Sequence, residues 1–233
     1  MIEVPVIAVD GPSGTGKGTI CARLSTALNW HVLDSGALYR VLAHAAMKSG
    51  IGLDHSPELC ELAETLDVSF KDNGMGTGLL VLLGDEDVSD DIRTEACGNA
   101  ASKIATYQGV RKALLQRQRA FKRLPGLIAD GRDMGSVVFP EARLKIFLTA
   151  SPEERAKRRY KQLKEQGFSV NLPRLSAELA ERDGRDKERI ESPLRPAPGA
   201  FIIDTSAVNI EQVGKQVLEL VKKTFPGTAI NYR

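Results

Sequence analysis

The segment VIAVDGPSGTGKGT, residues 6–19, ends an apolar run in a glycine-rich turn and a single lysine. Gly11, Gly16 and Lys17 stand in the spacing G-x-x-x-x-G-K. Glycine opens backbone conformations closed to other residues and leaves no side chain over the amides. A loop of Gly11, Pro12, Ser13, Gly14, Thr15 and Gly16 can therefore turn N–H groups onto phosphate oxygens. A helix starting at Lys17 adds partial positive charge, and the lysine ammonium adds a full one. Strand, loop and helix in this order are the context that makes the spacing a phosphate cradle. Gly18 departs from the usual pattern, in which Ser or Thr follows the lysine and binds Mg²⁺. Only Thr19 supplies a hydroxyl, one place later. A metal ion there is expected to be held mainly by the phosphates of a bound triphosphate and by water, and its direct protein ligands stay open.

Further stretches could supply an acceptor site. In HVLDSGALYR (31–40) a strand ends in Asp34 and turns through Ser35 into a helix carrying Tyr39 and Arg40. The bland reading is a helix start with Ser35 as cap. In LIADGRDMGSVVFP (127–140) an apolar strand ends in Asp130, a position suited to the water shell of a metal ion. Arg132 and Asp133 follow and could face the acceptor, or could form a surface pair. SPEERAKRRYKQL (151–163) brings Arg155, Arg158 and Arg159 onto one helix. ERDGRDKER (181–189) spaces Arg182, Asp186 and Arg189 as one helical stripe. Local ion pairs would also account for both runs.

The elements that must position these groups follow from periodicity. Strands are expected at 5–10, 31–34, 126–130, 144–150 and 201–206, mostly as unbroken apolar runs, the mark of parallel strands covered on both faces. Helices are expected at 17–28, 37–48, 108–123, 152–165 and 209–224. The alternation predicts a doubly wound α/β fold. Residues 67–90 break the rhythm with short β-like runs around DNGMGTG, and Asn73-Gly74 signals a hairpin. The expected division is a core of 1–34, 108–150 and 200–233, an insertion at 35–107, and a mobile helical flap with its flanking helices at 151–199.

Composition narrows the class. The chain has 233 residues, a formal net charge of +2 and 42% hydrophobic residues, which suits a globular protein without a nucleic-acid coat. Cys21, Cys60 and Cys97 lie far apart, against a disulfide framework or zinc site. No secretory leader or membrane span is expected, and a cytoplasmic monomer is. A GTPase is excluded because no Asn is followed by Lys and no D-x-x-G occurs. A small-molecule kinase remains. Its rivals are a kinase of another acceptor, such as UMP or a hydroxyl, and a nucleotide-binding module that does not turn over.

DGPSGTGKGT, LDSGALYR, GLIADGRDMGSVVFP and ERDGRD, in this order, resemble the bacterial cytidylate kinases over nearly the whole chain. The resemblance implies a P-loop NTPase fold. A five-stranded parallel sheet is flanked by helices, with an inserted monophosphate-binding domain holding a small antiparallel sheet, and a short helical lid. It implies transfer of the γ-phosphoryl group of ATP to CMP or dCMP with Mg²⁺. Arg40 and Arg132 would hold the acceptor phosphate, and Ser102, Arg111 and Asp133 the cytosine. Ser35 and Tyr39 would line the acceptor site, and Asp186 would face the sugar. Arg182 and Arg189 would reach the acceptor or the transferring group. Arg155, Arg158 and Arg159 would close on ATP.

Overall fold

Apolar side chains at nearly every position of VIAVD and LIADG predict strands covered on both faces. In the computed structural model, β1 (Val6–Asp10) is buried along its whole length. The structure describes residues 3–72, 79–165, 167–189 and 192–231. After β1, α1 (Lys17–Leu28) leads to β2 (His31–Asp34) and α2 (Ser35–Lys48). Then come α3 (Ser56–Thr65), β3 (Val68–Asp72), β4 (Leu79–Leu83), β5 (Glu86–Asp87), α4 (Glu95–Ile104) and α5 (Gln108–Ala120). The chain continues through β6 (Leu127–Gly131), β7 (Leu144–Thr149), α6 (Pro152–Glu165), α7 (Leu172–Glu188), β8 (Phe201–Asp204) and α8 (Ile210–Thr224).

Two compact units share these elements: Met1–Val32 with Leu124–Arg233, and Leu33–Arg123. The large sheet has the order β2-β6-β1-β7-β8. β1 runs parallel to β6 and β7, with Asp10 opposite Gly131 and Phe147, and β8 runs parallel to β7. The carboxyl ends of β1 and β6 thus lie side by side, where ligands bind in open α/β sheets. Ile7, Val9, Ile20, Leu24, Ile146 and Val217 lie in the apolar cluster of the first unit. Asn209 caps α8 by accepting from the Gln212 amide while the Gln212 side chain accepts from the Asn209 amide.

The second unit holds the small sheet β3-β4-β5, antiparallel, with Val68 opposite Leu83 and Asp72 opposite Leu79. The expected Asn73-Gly74 turn lies outside the described residues. Helix α5 was expected with the sheet core but belongs to this unit. Its buried Val110 and Leu114 join Leu59 and Ala63 of α3 in one apolar cluster. An amphipathic helix follows the apolar stripe it covers, which is not read from its place in the chain.

The region 151–199 falls in the same compact unit as most of the large sheet, not in a body of its own. Most of it is regular. Asn171 caps α7 by accepting from the Arg174 amide, and α7 then runs for 17 residues. Ala156 and Leu163 of α6 meet Leu175 and Leu179 of α7 in a small apolar cluster. Among the described residues, no helix is long and apolar enough to cross a membrane.

Candidate active site

Gly11 follows β1 directly at φ 145°, and a Cβ there would run into the backbone carbonyl of Leu148. Only glycine lets the loop leave the sheet so close to β7. Gly16, at φ 89°, forms the left-handed N-cap of α1. Between them, Thr15 is buried and its hydroxyl donates to the Pro12 carbonyl at 3.1 Å. Lys17 is buried and its Nζ donates to the same carbonyl at 2.8 Å. Burial and then the Arg132 charge press the Lys17 pKa down to about 8, against the pull of Asp130 and Asp10. Gly18 has room for more: a Cβ there would lie 3.8 Å from Asp130 Oδ2, an ordinary contact. The structure gives no steric reason for glycine at this position. Gly18 and Thr19 are exposed.

Beyond the loop, Asp130 is buried in β6 and Asp133 in the turn that follows, with Arg132 half-buried between them. Asp186 of α7 gathers two of the expected arginines. Its Oδ2 accepts from Arg132 Nε at 3.0 Å and its Oδ1 pairs with Arg189 Nη2 at 3.1 Å. Burial opposes ionisation of Asp186, but the guanidiniums of Arg132, Arg189 and Arg182 outweigh it and hold the carboxyl below its ordinary range. Arg189 sits just past the helix as its C-cap. Arg182 is buried on the same helix.

The arginines of α6 separate into different roles. Arg155 was expected to reach ATP as part of a flap, but it is buried and built into the fold. Its Nε donates to the Ala150 carbonyl at 3.2 Å, its Nη1 to the Ser13 carbonyl at 3.2 Å, and its Nη2 to Asp183 at 2.5 Å. A planar fork with several donors suits a side chain that ties three segments together. Gly14 lies against it, with space for a Cβ only 3.0 Å from Arg155 Cβ. Arg158 donates to the Thr205 hydroxyl at 2.9 Å and to the Thr205 carbonyl at 2.5 Å. Its Nε donates to Glu154 at 3.1 Å. Arg159 donates to Gln162 at 2.7 Å.

In the second unit, Asp34 caps α2 by accepting from the Ala37 amide at 2.9 Å. Ser35 therefore opens the helix and is not its cap. Its hydroxyl donates to the buried Gln118 side chain at 2.9 Å. Arg40 donates to the Ile92 carbonyl at 2.6 Å and to the Thr94 carbonyl at 3.4 Å. Tyr39 and Ser102 are buried, and Arg111 is half-buried.

Sequence reasoning missed Asp10, Asp183 and Thr205. Thr205 is buried just past β8, and its hydroxyl reaches the carbonyls of Thr15 at 3.2 Å and Thr149 at 3.1 Å. Its place at the carboxyl end of a parallel strand was a usable signal. Asp183 gave none, because its partner lies on another helix.

A glycine loop leaving the first strand of a parallel sheet, with a buried lysine beside strand-end carboxylates and arginines, makes this a P-loop phosphotransferase. Comparison with known proteins narrows the class. The family model for cytidylate kinase matches residues 7–223. A cytidylate kinase of Shewanella denitrificans is 56% identical over 223 residues, 96% of this chain and 98% of its own. One of Nitrosococcus oceani is 59% identical over 216 residues, 93% of this chain and 95% of its own. One of Shigella boydii is 56% identical over 220 residues, 94% of this chain and 96% of its own. The chain belongs to the cytidylate kinase family.

Proposed function

We propose that this protein transfers the γ-phosphoryl group of ATP to CMP or dCMP, giving ADP and CDP or dCDP. The observation that carries the proposal is the Arg132–Asp186–Arg189 cluster, whose Arg132 lies close enough to Lys17 to depress its pKa. Cations for an anionic acceptor thus meet the phosphate loop in a member of this family.

The acceptor phosphate has a second pKa of about 6 and is largely ionised at neutral pH. It needs no strong base. The difficulty is to bring two anions together in line, so catalysis rests on positioning and charge neutralisation. Lys17 and the loop amides take the triphosphate. Arg132 takes the acceptor phosphate by paired hydrogen bonds, the role that the family resemblance also gives Arg40. Arg182 and Arg189 neutralise the acceptor or the transferring group. Asp186 holds Arg132 and Arg189 in place as well as facing the sugar. Arg158 and Arg159 act on ATP, whereas Arg155 braces the loop through Ser13.

Cytosine offers an amino donor beside acceptors on its pairing edge. Asp133 accepts from that amine, and Arg111 and Ser102 donate to the acceptors. Uracil would leave the carboxylate facing a carbonyl, an unpaired buried group. Ser35 and Tyr39 complete the acceptor set.

The residues also fit Mg²⁺. Asp130 is buried near the end of β6, beside Lys17. That donor set suits an ion held by phosphates and water, with Asp130 ordering its water shell. Bound there, Mg²⁺ would neutralise phosphate charge during transfer. Cys21, Cys60 and Cys97 are free thiols, and the proposed setting is a monomer in the cytoplasm.

The test is ADP formation from ATP–Mg²⁺ with each nucleoside monophosphate in turn. CMP and dCMP should far outrun UMP, AMP and GMP. Equal turnover of UMP would overturn the specificity, and ATP binding without CMP-dependent ADP formation would overturn the activity.

A further inference from the structure

One buried carboxylate has no task in that reaction. Asp10 ends β1, directly before the phosphate loop, and is 3% exposed. Its Oδ1 accepts from the Met134 amide at 2.8 Å and its Oδ2 from the Gly135 amide at 2.9 Å. These amides open the π-helical turn Met134–Val138 that follows Arg132 and Asp133. The turn's internal bonds begin only with Val137 donating to Asp133, so its first donors need acceptors from outside.

A carboxylate is the one side-chain group that meets two neighbouring amides with two acceptors and no donor. Asn would turn an NH₂ group against one of them. We infer that Asp10 is a positioning residue for the acceptor turn: by clasping the Met134 and Gly135 amides it fixes Arg132 and Asp133 against the phosphate loop. Parallel pairing of β1 with β6 sets Asp10 opposite Gly131, next to Arg132. The fold keeps this carboxylate where ionisation is resisted. Burial raises its pKa to about 6, with Asp133 adding to the rise and the two amides and Lys17 opposing it.

The inference rests on the assignment of Arg132 and Asp133 to the acceptor. The test compares Asp10→Asn with Asp133→Ala in steady-state kinetics for CMP, UMP and ATP. Loss of one charged hydrogen bond should raise KM for CMP about tenfold or more in Asp10→Asn. The preference for CMP over UMP in kcat/KM should fall with it, and KM for ATP should change less than about twofold. Unchanged CMP parameters in a folded Asp10→Asn protein, while Asp133→Ala loses its preference, would overturn the role of Asp10. An unchanged preference in Asp133→Ala would instead overturn the acceptor assignment beneath it. Equal losses for ATP and CMP would show that Asp10 supports only the phosphate loop. Should Asp10→Asn fail to fold, amide hydrogen exchange on the unaltered protein decides. Met134 and Gly135 should be strongly protected, and exchange at exposed-turn rates would refute the clasp.

Discussion

Lys17 keeps its ammonium where the surroundings resist it. Its pKa of about 8 in the folded protein lies below the ordinary 10.5. The charge therefore costs folding stability below pH 8, on the order of 3 kcal/mol. That cost fades as pH rises from the folded value to the unfolded one. Lys17→Met should raise Tm by a few degrees at neutral pH, with the margin closing in alkali, while kcat falls by roughly 10³. Thermal unfolding across pH, with kinetics, checks both halves. Asp186 has the opposite sign. Its folded pKa lies below the ordinary 3.8, so its contribution is present above that value and is lost as pH falls through the folded one. Arg132→Met removes one of its guanidiniums, which should move acid unfolding to higher pH. An unmoved acid transition would show that Arg132 does not hold the carboxylate ionised.

At the scale of elements, α6 and α7 are tied to the phosphate loop by polar groups in addition to their apolar seam. The Arg155–Asp183 pair is nearly buried, with side chains 4% and 12% exposed. Asp183→Asn leaves the guanidinium without its counter-charge, and breaking such a pair should cost about 3–5 kcal/mol. Urea denaturation measures this, and a loss near zero would show that Arg155 is held by the carbonyls alone. Thr205→Val removes the hydroxyl shared by Arg158 and the carbonyls of Thr15 and Thr149. The expected loss is about 1–2 kcal/mol, with kcat falling more than CMP affinity because Arg158 loses one of its partners and is held less firmly. A change in CMP affinity alone would argue against a link between α6 and the transferring phosphates. The strands that build the large sheet were legible because most are runs dominated by apolar residues, as VIAVD of β1 and LKIFLT of β7 show. α5 was legible as a helix but not as a member of the second unit, because periodicity gives a face without naming its partner.

Across the whole molecule, a formal net charge of +2 is too small to attract polyanions broadly. The cations that matter are local, and an acceptor held by guanidiniums should feel salt. KM for CMP should rise with ionic strength while kcat changes less. Kinetics over a sodium chloride series measures this, and a flat KM would mean that charge does not dominate acceptor binding. The phosphate loop could be read from the sequence alone, because its chemistry is set by consecutive residues whose spacing is covalent. The family pattern in DSGALYR and DGRDMG likewise supplied the residues proposed here for the acceptor. Tertiary structure alone decided which groups meet. It joined Asp10 to amides 124 and 125 residues away, turned Arg155 inward onto Ser13 and Asp183, and brought Thr205 beneath Arg158. Such partners depend on strand register and helix packing, and no local spacing encodes either.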